Sequence, residues 1–314
     1  MKRCFLYPGQ GAQFPGMGKA LYDSHAEVRD LFGLASGAAG FDVADLIFTG
    51  SEDDIKATDR SQVAITTVNL AARRVLARRG IVSDGAAGFS LGEYSALVDA
   101  GVLEEADALE LVTLRGQIME EVSRSLDSGS GSAGMAAVLG LDADTIVSVL
   151  ESAGVQDVYP ANINSPVQTV LSGTAAGLEK ATSVLKDGGA RRVVILKVSG
   201  PFHSPLMHEA KNRFTRELER FEFRDPQKPV YANVTGAAIT SGDESRTLCS
   251  EQLVAPVRWV DEESAILADG YDQLLEVGPG EVLTGLWKSF TKGRDEIKLE
   301  SRPAGTLEQI TALT

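Results

Sequence analysis

The stretch Gly88-Phe89-Ser90-Leu91-Gly92-Glu93 narrows the possible folds more than any other part of the chain. It has the form G-x-S-x-G, a sharp strand-to-helix turn that lifts a serine hydroxyl clear of a sheet. A side chain at Gly88 or Gly92 would collide with the neighbouring strand or helix at such a bend. Downstream, Tyr94, Leu97 and Val98 fit the buried face of a helix that closes near Gly101. A helix starting at the serine aims its free N–H groups at any anion formed there. With 32 glycines among 314 residues, the same letters also fit an ordinary glycine-rich turn, so the rest of the chain must decide.

A length of 314 residues suits one large domain, or one domain carrying an insertion, and 43% hydrophobic residues suffice for a sizeable core. The net charge of -14 argues against a nucleic-acid partner, which needs a basic face. Cys4 and Cys249 have neither metal-ligand spacing nor a disulfide framework, and read as buried thiols in a reducing cytoplasm. The apolar run Cys4 to Tyr7 is broken at once by Pro8-Gly9, so no signal peptide is expected. No stretch is long enough to span a bilayer, and no membrane partner is expected.

Cys4-Phe5-Leu6-Tyr7 suits a buried strand. The loop from Gly9 to Gly18 fails as a dinucleotide site, because the third glycine of that fingerprint would fall where Phe14 stands. The other use of such a loop is to offer bare N–H groups to an oxyanion. Residues 17–36 and 62–79 read as helices. The second ends in Arg73, Arg74, Arg78 and Arg79, read as a solvated basic face. Residues 81–87 are the expected strand into the serine turn, despite the poor β-propensity of Gly85, Ala86 and Ala87.

The helix expected over 104–124 carries an apolar stripe of Ala108, Leu111, Val112, Ile118, Met119 and Val122. Arg115 interrupts it. A buried guanidinium needs an anionic partner and hydrogen bonds. Two readings fit: a structural ion pair with a core Asp or Glu, or a fork waiting for a carboxylate that arrives with a substrate. Gly116 beside it leaves room for close approach.

Residues 127–132, Asp-Ser-Gly-Ser-Gly-Ser, form a linker by composition. A self-contained pattern follows: strand 135–139, helix 142–153, strands 158–163 and 167–171, helix 174–186, strand 192–198. That β-α-β-β-α-β order is a ferredoxin-like unit, read as an insertion, with the parent domain resuming near Ser199. The chain has three histidines. His25 lies in a polar helix away from any motif, and His208 at a helix start with Glu209 and Lys211. His203 sits in a Gly/Pro-framed loop directly after a strand, where α/β folds place catalytic groups. A lone histidine is more often structural, but with Ser90 upstream it is read as the general base. Residues 229–235 and 274–277 are expected strands, the latter leading through Gly278-Pro279-Gly280 to a helix over 282–289; the tail beyond Lys292 holds less regular signal.

From Tyr7-Pro8-Gly9-Gln10-Gly11 to Glu276-Val277-Gly278-Pro279-Gly280, the chain resembles the malonyl-CoA:acyl carrier protein transacylases, the stand-alone acyltransferases of bacterial fatty-acid synthesis. The order and spacing of the motifs carry the resemblance over about the whole chain. It implies an α/β-hydrolase-like core, residues 1–126 and 199–314, with a ferredoxin-like subdomain inserted at 127–198. It further implies Ser90 as nucleophile, His203 as its base, and the backbone N–H groups of Gln10 and Leu91 as the oxyanion hole. Arg115 would bind the malonyl carboxylate, with Asn162 and Gln252 shaping or supporting the site. In this family a backbone carbonyl near Gln252 orients the histidine in place of a triad carboxylate. One departure is Phe89, where the family usually has His. If that His only packs, activity survives; if it contributes a hydrogen bond, turnover is slower. Phe202-His203-Ser204 resembles the malonyl-selective form rather than the methylmalonyl form.

The implied activity is ping-pong transfer of malonyl from malonyl-CoA, a substrate, to the phosphopantetheine thiol of acyl carrier protein, with no metal or redox cofactor. Acyl carrier protein is acidic, as is this chain, so a local basic docking patch is expected, with Arg191, Arg192, Lys288 and Lys292 as candidates. A monomer is expected. Two alternatives stand: a serine hydrolase that passes the acyl group to water, and a non-catalytic subunit that binds the carrier protein.

Overall fold

The computed structural model describes residues 1–126 and 131–313. Among the described residues nine strands divide between two sheets. The first contains β1 (Arg3–Tyr7) and β2 (Gly85–Gly88); the second contains β3 (Gly134–Leu139), β4 (Val158–Ser165), β5 (Gln168–Gly173) and β6 (Arg192–Ile195). The first sheet is completed by β7 (Val230–Tyr231), β8 (Gln273–Glu276) and β9 (Ser301–Pro303). Its order is β7-β2-β1-β8-β9, and every pairing is parallel.

A parallel sheet covered on both faces needs apolar strands, and β1 in the middle is apolar and buried from Cys4 to Tyr7. Phe5 and Tyr7 point to one side, into a core built with the helices Ala26–Ala39, Thr58–Arg78 and Glu105–Ser125. Cys4 and Leu6 point to the other, against Trp259, Trp287 and Phe290. β2 is shorter than the strand expected over 81–87. Ile81 instead closes the preceding helix through a hydrogen bond to Leu76 O, and Asp84 N–H bonds Arg3 O at 2.7 Å before pairing begins.

The second sheet is antiparallel, in the order β4-β5-β3-β6, with helices Ala143–Ser152 and Ala175–Asp187 inserted after β3 and β5. Strand alternation sends Ala136, Val138 and Leu171 under those helices. The opposite face carries Met135, Ala137 and Val170, which turn toward the large domain. Residues 127–130 of the expected linker lie outside the described residues. Beyond the small sheet's own ladder, Val257 N–H bonds Ala161 O at 2.8 Å and Ile163 N–H bonds Val257 O at 2.9 Å, tying β4 to the segment after Gln252.

Four further expectations need correction. The helix over 17–36 is two helices, Lys19–Ser24 and Ala26–Ala39, broken at His25, which is extended at φ -132 and half-buried rather than inside a polar helix. Arg73 and Arg74 are not a solvated face: Arg73 Nε donates to Asp99 at 2.9 Å and Arg74 Nε to Glu105 at 3.1 Å, pinning the helices together. The strand expected over 229–235 stops at Tyr231, because Asn233 turns inward to the serine bend. The tail contributes β9 and a capped helix Leu307–Thr311. Among the described residues no single helix is long and apolar enough to cross a membrane; the one bent pair with that composition buries Val28, Leu31, Phe32, Val43 and Ile47 in the core.

Candidate active site

The serine turn is compressed against the sheet. A Cβ at Gly92 would stand 1.9 Å from Tyr7 O, and one at Gly88 2.1 Å from the Gly92 backbone, so glycine is required at both ends. Between them Ser90 has φ 50, in the left-handed region that costs a non-glycine residue on the order of 1–3 kcal/mol. Such a conformation persists only when its surroundings over-determine it. Here Ser90 N–H donates to Asn233 Oδ1 at 2.7 Å, while Ser90 O accepts from Gln252 Nε2 at 3.1 Å and from Glu93 N–H at 3.1 Å.

His203, at φ 57, is the second strained residue. Its Nε2 lies 2.7 Å from Ser90 Oγ and its Nδ1 2.7 Å from Gln252 O. A carbonyl can only accept, so Nδ1 carries the proton and Nε2 presents its lone pair to the hydroxyl. Burial, with the nearby Arg115 charge, lowers the imidazole to about 4. The ring is therefore neutral at physiological pH, the state a base needs.

Arg115 is 1% exposed. Its Nη1 donates to Gln62 Oε1 at 2.8 Å, and its Nη2 to Gln252 Oε1 at 3.0 Å and Ser90 Oγ at 3.4 Å. The guanidinium stands 5.7 Å from the Tyr94 ring centre, and its Nε is buried without a partner. These acceptors are neutral, and no ion pair among the described residues includes Arg115, so the structural ion-pair reading fails. The room attributed to Gly116 serves another purpose: a Cβ there would stand 3.0 Å from Thr58 O, so the close approach is that of the neighbouring helix.

Between the two sheets lies a cleft of about 260 Å³, lined by Gln10, Ser90, Asn162, Asn164, Val170 and His203 among others. Asn162 faces it from β4. Gln252 does not line it; its side chain sits behind Ser90 and binds Arg115. The Gly9 loop lies directly on the serine turn, since a Cβ at Gly9 would be 2.3 Å from Phe89 O and 3.5 Å from Leu91 N. Among the described residues, no acceptor takes the N–H of Gln10 or Leu91. Ser90 N–H is already used by Asn233.

A strained serine paired to a neutral imidazole, with two spare N–H groups beside it, is the equipment of nucleophilic acyl chemistry. The family model for the acyl transferase domain matches residues 4–307. The chain belongs to the acyl transferase domain family. It is 39% identical over 293 residues to the malonyl CoA-acyl carrier protein transacylase of Bacillus subtilis (strain 168), covering 93% of this chain and 91% of that protein. A solved acyl carrier protein S-malonyltransferase from Vibrio cholerae O1 biovar eltor str. N16961 superposes with a TM-score of 0.93 at 36% identity, over 100% of both chains. A malonyl-transacylase in complex with its type II PKS acyl-carrier protein superposes at 0.92 and 35% identity, over 99% of this chain and 98% of that one.

Within this acyl transferase, four buried residues at the site were not singled out by sequence: Gln62, Glu93, Asn164 and Asn233. Asn233 is the most connected, donating to Gly88 O at 2.7 Å and Glu262 Oε1 at 2.8 Å while it accepts from Ser90. The available signal was a polar amide inside the apolar run Val230-Tyr231-Ala232-Asn233-Val234. Phe89 packs edge-on against Trp259 at 5.4 Å between ring centres and lines the cleft.

Proposed function

We propose that the chain transfers a malonyl group from malonyl-CoA to the phosphopantetheine thiol of acyl carrier protein, through a malonyl ester on Ser90, in fatty-acid biosynthesis. One observation carries this reading. Arg115 holds a buried positive charge 3.4 Å from Ser90 Oγ, and among the described residues no acid pairs with it directly. A malonyl ester on that oxygen brings its free carboxylate within reach of the guanidinium, and an acetyl ester does not.

His203 Nε2 accepts the Ser90 proton as Oγ attacks the thioester carbonyl. The tetrahedral oxyanion rests on the N–H groups of Gln10 and Leu91; loss of one such donor typically costs about 100- to 1,000-fold in rate. The intermediate collapses, the C–S bond breaks, and His203 returns the proton to the coenzyme A thiolate. The carrier thiol then gives its proton to His203 and attacks the ester, and Ser90 Oγ leaves and regains a proton. The Gln252 carbonyl fixes the imidazole tautomer throughout. Burial and, after it, the Arg115 charge lower the basicity of His203, so a substrate carboxylate that neutralises Arg115 relieves the second part. Substrate binding thus strengthens the base that the next step needs.

The finer architecture is read as an α/β-hydrolase-like core, residues 1–126 and 199–314, with a ferredoxin-like insertion at 127–198. The serine turn after a parallel strand and the strand order β4-β5-β3-β6 support it. Arg191, Arg192, Lys288 and Lys292 are exposed and are proposed to meet the acidic carrier. The protein is read as a cytoplasmic monomer whose chemistry calls for no metal or redox cofactor. Intact mass after mixing with malonyl-CoA tests the assignment. One added malonyl group, abolished in Ser90→Ala, supports it; an unlabelled wild type overturns it. Coenzyme A release that needs no carrier protein would favour a hydrolase.

A further inference from the structure

Arg115 lacks a direct ion pair, yet an anion stands one amide away. Gln252 Oε1 accepts from Arg115 Nη2 at 3.0 Å, and Gln252 Nε2 donates to Glu93 Oε2 at 2.9 Å. The same Glu93 oxygen accepts Asn233 N–H at 2.9 Å, while Glu93 Oε1 is buried with no partner. Glu93 is fully buried in the first turn of the helix Gly92–Asp99. An amide bridging a guanidinium to a carboxylate polarises along the line between them, so the two charges interact through it.

Building on the malonyl-transfer reading, we propose that Glu93 is the resident counter-anion of Arg115, joined to it through the Gln252 amide, and that it takes up a proton when a substrate carboxylate reaches Arg115. Two anions cannot both be served by one buried cation. The substrate carboxylate forms the shorter contact, and Glu93 becomes the group that neutralises. Its hydrogen bonds permit this: Oε2 keeps both donors, and the added proton sits on the free Oε1.

Burial raises Glu93 to about 7, with Asn233, Gln252 and Arg115 opposing the rise, so it can change state near neutral pH. Arg115, Cys249 and Tyr94 around it do not titrate there. Arg115 on the helix Glu105–Ser125 stays a cation. Burial raises Cys249, on the helix Gly242–Glu251, and Tyr94, on Glu93's own helix, above their ordinary values. Burial, aided by the charge of Glu93, holds Glu262 on the helix Trp259–Ala268 well above the carboxylate range. β2 is Gly-Ala-Ala-Gly and carries no ionisable side chain. No ionisable group of β1 or of the helix Thr58–Arg78 bears on Glu93 among the described residues.

The readout is the ratio of kcat/KM for malonyl-CoA to that for acetyl-CoA, in which the shared coenzyme A phosphates and His203 cancel. At low pH Glu93 is neutral and Arg115 is free for the substrate. At high pH the ionised Glu93 competes. The wild-type ratio should fall at least about threefold between about pH 6 and about pH 8.5, and each pKa unit of coupling adds tenfold to the full span. Glu93→Gln places an NH2 at the unpartnered Oε1 position and mimics the protonated acid. Its ratio should be flat with pH, at the wild type's low-pH level. A second measurement covers a variant that fails to fold. Ser90→Ala in weak buffer near pH 7 should take up protons on mixing with malonyl-CoA and not with acetyl-CoA, as an indicator dye reports. A flat wild-type ratio, a slope that survives in Glu93→Gln, or no malonyl-specific proton uptake overturns the inference while leaving malonyl transfer intact. A protein with no malonyl preference at any pH, unchanged by Arg115→Ala, overturns both.

Discussion

Ser90 and His203 meet at 2.7 Å, Oγ to Nε2, and each is held in the left-handed backbone region, at φ 50 and φ 57. Only one other non-glycine residue among those described, Asp157, shares that conformation. The strain at both reacting residues is balanced by buried hydrogen bonds. Gln252 serves both, through its carbonyl on His203 Nδ1 and its side chain on Ser90 O. Asn233 Oδ1 completes the clamp, accepting from Ser90 N–H at 2.7 Å and from Gln252 Nε2 at 3.0 Å.

Asn233→Ala tests that clamp. It removes the acceptor for Ser90 N–H and the donor for Glu262, leaving buried polar groups unpaired at about 1–3 kcal/mol each. A lower melting temperature is expected, with acylation of Ser90 slowed on the order of 100-fold, because a displaced nucleophile loses its near-attack geometry. Wild-type acylation kinetics in a folded variant would show that Ser90 keeps its conformation without Asn233.

That dependence also marks what could be read from sequence. The serine turn, Arg115 and the β-α-β-β-α-β order are local patterns, visible as glycine spacing, a broken apolar stripe and alternation. His203 was found through its loop. The clamp joins residues far apart in the chain, Ser90 to Asn233 and Ser90 to Gln252, and no local period announces it. β9 escaped for a similar reason. Three residues become a strand only because β8 presents Leu274, Leu275 and Glu276 to pair with them. The break at His25 was hidden by apolar spacing that continues on both sides of it.

Phe89→His should fold and change turnover by less than about tenfold, or roughly 1.4 kcal/mol of barrier. The ring's contact is with Trp259, and the Ser90 proton already has a partner in His203. Steady-state rates of both proteins with malonyl-CoA and carrier protein check this. A gain far above tenfold would mean the native site is catalytically impaired.

Glu263 has both carboxyl oxygens buried without hydrogen-bond partners, and burial raises it from 4.5 to about 9. A carboxyl whose folded value lies above its unfolded value stabilises the fold least at high pH. Between about pH 4.5 and about pH 9 the folded protein binds more protons than the unfolded one, so stability declines as pH rises, by up to about 1.4 kcal/mol per unit. Glu263→Gln removes that decline. Its melting temperature should fall less than the wild type's between about pH 6 and about pH 8. Parallel falls in the two proteins would show that Glu263 ionises freely in the fold.

Arg115→Ala should change which acyl group is accepted. The guanidinium is anchored by Gln62 and Gln252, which fix its orientation and do not neutralise it. A charge-assisted bond to a carboxylate is worth about 1.5–3 kcal/mol, so malonyl transfer should fall at least about tenfold. Acetyl-CoA has no carboxylate to lose, and its kcat/KM should hold or rise, because no cation then faces its methyl group. His203, relieved of a nearby cation, becomes a stronger base in the variant, which favours acetyl transfer further. Lysine would not substitute fully, since it lacks the planar fork that meets the Gln62 and Gln252 amides together. The measurement is kcat/KM for both thioesters in wild type and variant, with melting temperature alongside. An equal fall for both substrates with a lower melting temperature would make Arg115 a structural residue, and the malonyl assignment would lose the observation that carries it.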